Sequence, residues 1–433
     1  MITTASRAPA TSSSGAGDAR RRRRGGPGVS LPRAGAVSLL VSLVCLSLSV
    51  LSSAAPSGSP VRIGGTLALT GPLASQAVIH KIVADIYVDR LNKRNGLLGR
   101  PVEYVLLDDQ SKPEVTRVLY ERLITVDKVD LVIGAFGTGL NMAAMPVAQR
   151  YQKIFITATM GIPKLSTYDM HFSTQGIGPE PEKTFPNSVF DALASTGRPP
   201  KTVAIVTSKF PSLHFISVGA KEVAAKRGVG VPLYLEYEFG LRDFGPIATR
   251  IKEANADFLW AGALGMEGNM LLEALKTIGY APRGHLYIFP ASGPLAQLPE
   301  ARNALSLTVF EEHPPFTDNP AAAEFVKVFD EAATRAGLPY PKVEQQAAIS
   351  YAMWQVLEAV VTATGSLDDK TLARWLKANP VETIIGRQRF DHPTYHGFGD
   401  DLLKVRQLKE GRWVVVWPRQ WAAPGATVMY PNP

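Results

Sequence analysis

The sequence predicts an α/β protein with parallel sheets flanked by helices, arranged in two lobes. Three observations carry that expectation. Strand-like and helix-like stretches alternate through most of the 433 residues. The alternation breaks at "GIGPEPEKTFP" (176–186), where three prolines and two glycines mark a loop or crossing, and then restarts. Finally, about 379 residues follow an N-terminal leader, more than one hydrophobic core ordinarily holds.

The elements follow in order. "VRIGGTLAL" is a first strand. In "QAVIHKIVADIYVDRLNKRNG" the apolar residues Ile79, Ile82, Val83, Ile86, Tyr87 and Leu91 recur at helical spacing, and Gly96 closes the run. "PVEYVLLDD", "DLVIGAF" and "KIFITAT" are three more strands, separated by helical stretches. After the break come "TVAIVTS", a helix through Lys226, "VPLYLEYEF", a helix through Asn255, "DFLWAGA", a helix to Gly279, and "HLYIFPA". "FEEHPPFTDNP" (310–320) punctuates again before three helical segments ending near Asn379. "LLKVRQLKEGRWVVVWP" alternates about Glu410-Gly411 and reads as an antiparallel hairpin.

Residues 1–54 read as an export signal rather than as part of the fold. Five arginines, Arg20 to Arg24, precede the apolar run from Ala34 to Leu51, and Ser52-x-Ala54 fits a cleavage site. The segment carries seven of the 46 basic residues and one of the 38 acidic ones, leaving 39 against 37. The remaining chain is close to neutral, so nucleic-acid binding loses its main support. The single cysteine, Cys45, lies in this leader, which excludes a disulfide framework, a thiolate metal site and a cysteine nucleophile beyond it.

Signals for catalysis are weak. "GAFGTG" (134–139) spaces its glycines as G-x-x-G-x-G, not as the dinucleotide fingerprint, and no P-loop ending follows. His392 and His396 are four apart, but Pro393 disfavours one helix presenting both to a metal. Asp108-Asp109 and Glu311-Glu312 read as solvated loop pairs. No nucleophile is assembled with a base, so a binder is expected rather than an enzyme, with no cofactor and no metal.

Six pieces, in order, resemble the leucine/isoleucine/valine-binding class of periplasmic receptors, the extracytoplasmic subunits of ABC importers. They are "IGGTLALTGPLAS", "LNKRNGLLGRPVEYVLLDDQSKPE", "LVIGAFGTG", "FITATMGIP", "RDFGPIATRIKEANADFLWAG", and the closing "IGRQRFDHPTYHG" with "LKEGRWVVV". The resemblance implies the type I periplasmic-binding-protein fold, two α/β lobes joined by three hinge crossings. It divides the chain into a signal peptide (1–54), an N-terminal lobe (55–178 plus 312–395) and a C-terminal lobe (179–311 plus 396–433). It also implies a monomer in the periplasm that passes its solute to permease subunits. A ligand-sensing receptor domain that signals to a membrane partner is the alternative.

Carried over by position, Thr138 stands where the family binds a ligand carboxylate, with the backbone of Gly139 beside it. Thr159 falls where backbone groups of the second loop take part. Gln76, next to Ser75, replaces an aromatic cover. Gly161 replaces a second hydroxyl, and Ser292 stands near the place of an acidic partner for an α-ammonium. "KFPSLHF" brings Phe210, Leu213 and His214 where a Tyr-Gly pair is usual, and Leu264 completes the enclosure. Glu267, read as a solvent-facing first-turn helix residue, is the remaining acidic candidate. An unpaired ammonium in a closing cleft would cost several kcal/mol. The expected solute is therefore a carboxylate or amide with an apolar or aromatic body, not an α-amino acid.

Overall fold

A computed structural model describes residues 55–393, 397 and 403–432. The expected leader and His396 lie outside the described residues.

Five parallel strands form the first sheet: β1 (Val61–Leu67), β2 (Val102–Asp108), β3 (Leu131–Ile133), β4 (Phe155–Thr157) and β5 (His171–Ser173), in the order β2-β1-β3-β4-β5. Between them run α1 (Ala74–Lys93), α2 (Pro113–Thr125) and α3 (Thr138–Arg150). The helical stripe read from the sequence is the buried face of α1: Ile82, Val83, Tyr87 and Leu91 are in the core. β5 is not legible in the sequence. Its three residues are too short to show a period, and it forms by pairing with Phe155 to Thr157.

The second half opens with α4 (Pro181–Ala194), which begins inside the punctuated stretch. Pro181 sits in the first turn, where its missing N–H costs nothing. Pro186, further in, cannot donate to the Glu182 carbonyl. That carbonyl faces Gly219 so closely that a Cβ there would lie 2.0 Å away, so a glycine is required at the crossing. Gly219 belongs to α5 (Pro211–Lys226), which packs along α4.

The second sheet has seven strands: β6 (Thr202–Ser208), β7 (Gly230–Tyr237), β8 (Phe258–Gly262), β9 (His285–Tyr287), β10 (Leu305–Thr308), β13 (Lys404–Lys409) and β14 (Arg412–Trp417). Their order is β14-β13-β10-β9-β8-β6-β7, parallel except for the expected terminal hairpin, which pairs antiparallel to β10. Helices α6 (Gly245–Ala254), α7 (Glu267–Thr277) and α8 (Ser292–Ala296) lie between its strands in sequence. The three later helices are α9 (Pro320–Arg335), α10 (Gln345–Thr364) and α11 (Asp369–Ala378). Their first turns are capped by Asn319, Glu344 and Asp368, whose side chains accept backbone N–H groups. α9 and α10 pack on α1, returning the chain to the first sheet before a short hairpin, β11 (Val381–Thr383) and β12 (Gly386–Gln388).

One apolar cluster runs from the first sheet to the second, and another, around Phe244, Ile251, Leu271 and Tyr287, covers the remainder of the second sheet.

Candidate ligand-binding cleft

In sheets of this kind the loops at the carboxyl ends of parallel strands form the ligand crevice. The loop after β1 is held by the Asp108-Asp109-Gln110-Ser111 stretch that follows β2. Thr66 Oγ1 donates to Asp109 at 2.8 Å, Thr70 Oγ1 donates to Asp108 at 2.8 Å, and the Leu73 N–H donates to Ser111 Oγ at 3.2 Å. Asp109 is fully buried, not solvated as its sequence context suggested, and burial pushes its carboxyl up to about 6. Gly71, with φ of 89° and Ser111 Oγ 2.6 Å from where a Cβ would sit, makes the close turn possible.

The glycine-rich bend after β3 leads straight into α3, whose first turn has no side-chain cap. Its leading N–H groups therefore have no acceptor within the helix. Thr138 Oγ1 accepts the Gly161 N–H at 2.8 Å and has no acceptor for its own proton among the described residues. Thr159 Oγ1 accepts the Gly137 N–H at 2.8 Å, and Asn141 Nδ2 donates to the carbonyls of Ala135 and Thr159, tying the β3 and β4 loops together. Gly134 serves packing, because a Cβ would meet Thr157 at 2.5 Å. Loops of the second sheet press on this end. A Cβ on Gly161 would lie 2.5 Å from Ser212 Cβ, and one on Gly137 would lie 3.4 Å from the Phe210 ring. Thr138, Thr159, Gly161 and Phe210 are thus neighbours, and Gly139 has open space beside it.

Ser75 and Leu264 lie elsewhere in the crevice, on a cavity of about 500 Å³. Gly71, Pro72 and Ser75 form its wall on the first-sheet side. Phe239 to Arg242 and the stretch from Leu264 to Met270 form the other. Phe239 packs against Phe210 with ring centroids 5.0 Å apart, so an aromatic pair connects this cavity with the bend before α3.

Glu267 also lines this cavity, but it is 3% exposed and does not face solvent as its helix position suggested. Its carboxylate accepts the Gly240 N–H at 3.0 Å, the Leu264 N–H at 3.1 Å and the Tyr237 hydroxyl at 3.4 Å. Burial raises its pKa, opposed by these donors and by the Ser208 hydroxyl. Arg242, by contrast, is exposed and has no ion pair among the described residues.

Gln76 and Ser292 line a smaller cavity of about 140 Å³. Gln76 Nε2 donates to the carbonyls of Phe289 at 3.0 Å and Pro290 at 3.1 Å, linking α1 to the loop after β9, while its Oε1 has no donor among the described residues. Ser292 Oγ donates to Glu344 at 3.1 Å and accepts from Arg406 Nη2 at 2.9 Å. Arg406 also pairs with Glu311 at 2.8 Å and lies over the Trp413 ring. Glu311 is therefore buried, not a solvated loop residue, and burial pushes it up to about 7 against the pull of Arg406. A carboxylate does stand beside Ser292, then. It comes from 52 residues along the chain and brings its own cation, which no local reading could find.

Residues 60–411 match the family described as periplasmic binding protein. The chain belongs to that family. Its members bind solutes. This periplasmic binding protein is 22% identical to the Leu/Ile/Val-binding protein of Citrobacter freundii, over 82% of this chain and 92% of the relative. It is likewise 22% identical to the leucine-, isoleucine-, valine-, threonine- and alanine-binding protein of Pseudomonas aeruginosa, over 80% and 90%. Among solved structures it superposes on a leucine-binding protein of Thermotoga maritima with a TM-score of 0.71 at 20% identity, covering 82% of this chain and 97% of that one. An ABC-transporter solute-binding protein of R. palustris in complex with benzoate gives 0.70 at 19% identity, covering 86% and 99%. The type I periplasmic binding fold expected from the sequence is the fold found.

Proposed function

We propose that the protein is the extracytoplasmic solute-binding subunit of an ABC importer of the branched-chain amino-acid class, delivering a small organic carboxylate or amide to permease subunits. The carrying observation is the crevice itself: loops at the ends of parallel strands in both sheets converge on a cavity of about 500 Å³ with a mainly apolar lining. The relatives bind leucine, isoleucine or valine by name, and two of the structural neighbours hold benzoate and 3,4-dihydroxybenzoic acid. The lobes are residues 55–178 with 312–395 and 179–311 with 396–433, closing about three crossings on the solute. The Thr138 hydroxyl, the Gly139 backbone and the loop from Thr159 to Gly161 meet a polar group of the solute. Ser75, Gln76, Phe210, Leu264 and Ser292 bound the rest. The protein acts as a monomer without chemistry or cofactor, its mechanism being a shift from open to closed.

The test is a thermal-shift panel of branched-chain amino acids, amides, urea and aromatic carboxylates, with X-ray scattering on every hit. A solute that raises the melting temperature and compacts the protein supports the reading. An unchanged shape with every solute, or turnover of one, refutes it.

A further inference from the structure

We propose that Arg242 anchors a carboxylate of the solute, so that the cleft prefers anions lacking an ammonium over neutral amides and α-amino acids. The inference rests on the solute-binding reading above and sharpens it.

Two charged side chains line the large cavity, Glu267 and Arg242. They are not equivalent. An ionised carboxylate offers about four acceptor positions. Those of Glu267 are engaged by the Gly240 and Leu264 N–H groups and approached by the Tyr237 and Ser208 hydroxyls. An ammonium arriving there would have to displace donors that hold the loops of Gly240 and Leu264. Glu267 is thus a structural tie, not a receptor for positive charge.

Arg242 is the opposite case. Its guanidinium carries five N–H donors in a planar fork suited to a carboxylate. No acidic side chain among the described residues pairs with it. Its loop is pinned on both sides: the Gly240 N–H is held by Glu267 at 3.0 Å, and Asp243 accepts the Gly245 N–H at 2.9 Å. The cation is therefore presented by an anchored backbone to a cavity otherwise walled by Phe239, Leu264, Met266 and Met270. Such a wall suits an aliphatic or aromatic body. The unmatched charge in the cavity is positive, and the solute supplies its counterpart.

The experiment uses pairs of acid and amide that differ in charge but hardly in shape: benzoate with benzamide, and 4-methylpentanoate with its amide, alongside leucine. Calorimetry on the purified protein reads the affinities. At least one acid is expected to bind about tenfold or more tightly than its amide, with added salt narrowing the gap. Arg242→Ala should weaken the acid alone and erase the difference, and Arg242→Lys should keep part of it. The proposal is overturned if Arg242→Ala binds the acid as well as the wild type does. It is equally overturned if an amide or leucine matches the acids, or if neither acid binds. Binding of an amide or leucine alone would leave the solute-binding reading standing without Arg242. Failure of the whole wider panel to compact the protein would remove that reading itself.

Discussion

Arg406 and Arg242 are the same residue type in opposite circumstances. Arg406 is 1% exposed, clasped by Glu311, Glu344 and Ser292 and stacked over Trp413. Arg242 stands on a loop at the rim of the large cavity without an acidic partner. A guanidinium inside the core must be matched by the protein's own groups, since an unmatched buried charge costs several kcal/mol. One left at the edge of a cavity stays hydrated and available. The first arrangement fastens segments that are distant in sequence; the second waits for a guest.

The sharpest way to break this contrast is Arg406→Ala. Removing the clasped cation strands two buried carboxylates and should cost about 3–5 kcal/mol of stability in urea denaturation. A loss no larger than that of an exposed arginine would show that the cluster is not a fastening at all. Next in size is Glu267→Ala, which leaves the Gly240 and Leu264 N–H groups without their acceptor. It should destabilise by about 2–3 kcal/mol and loosen the loop that carries Arg242. If the variant melts with the wild type, the carboxylate is not the tie described. Thr138→Ala should weaken solute binding by about 1–3 kcal/mol while leaving the fold intact. Equal affinity would remove that hydroxyl from the site.

The smallest effect, taken per pH unit, is a slope. Glu311 titrates at about 7 in the fold against an ordinary 4.5, because burial disfavours its anion. The folded state therefore holds an extra proton between those values, and this contribution to stability is full below pH 4.5 and lost as pH rises through 7. In Glu311→Gln that loss is absent. The variant should gain on the wild type across the window, by at most about 1.4 kcal/mol per pH unit. Parallel stability profiles would mean that Arg406 keeps Glu311 ionised throughout.

Much of the architecture could be read from local pattern. The stripe from Ile79 to Leu91, the breaks near 176 and 310, and the hairpin about Gly411 each express a period or a turn within a few residues. Strand lengths were harder. "KIFITAT" reads as a seven-residue strand, yet only Phe155–Thr157 pair, and Ala158 is buried in the cleft loop that follows instead of in a sheet. The charged residues were hardest. Glu267, Glu311 and Asp109 look like solvated residues until Tyr237, Arg406 and Thr66 arrive from 30, 95 and 43 residues away. Periodicity records which face of an element is covered, but it carries no information about which distant partner neutralises a charge. For the same reason Thr138 is legible only through likeness to other receptors, and nothing in the sequence around Arg242 marks it.

Gln76 has one last implication. Its amide nitrogen reaches across to two carbonyls, those of Phe289 and Pro290, while its own oxygen is buried with no donor among the described residues. A clasp built this way works against itself: parting the two faces breaks two bonds but returns a starved acceptor to water, refunding about 1–3 kcal/mol. Gln76 thus ties a helix of the first sheet to a loop of the second through two bonds whose loss is partly offset, a contact suited to a carrier that must surrender its cargo.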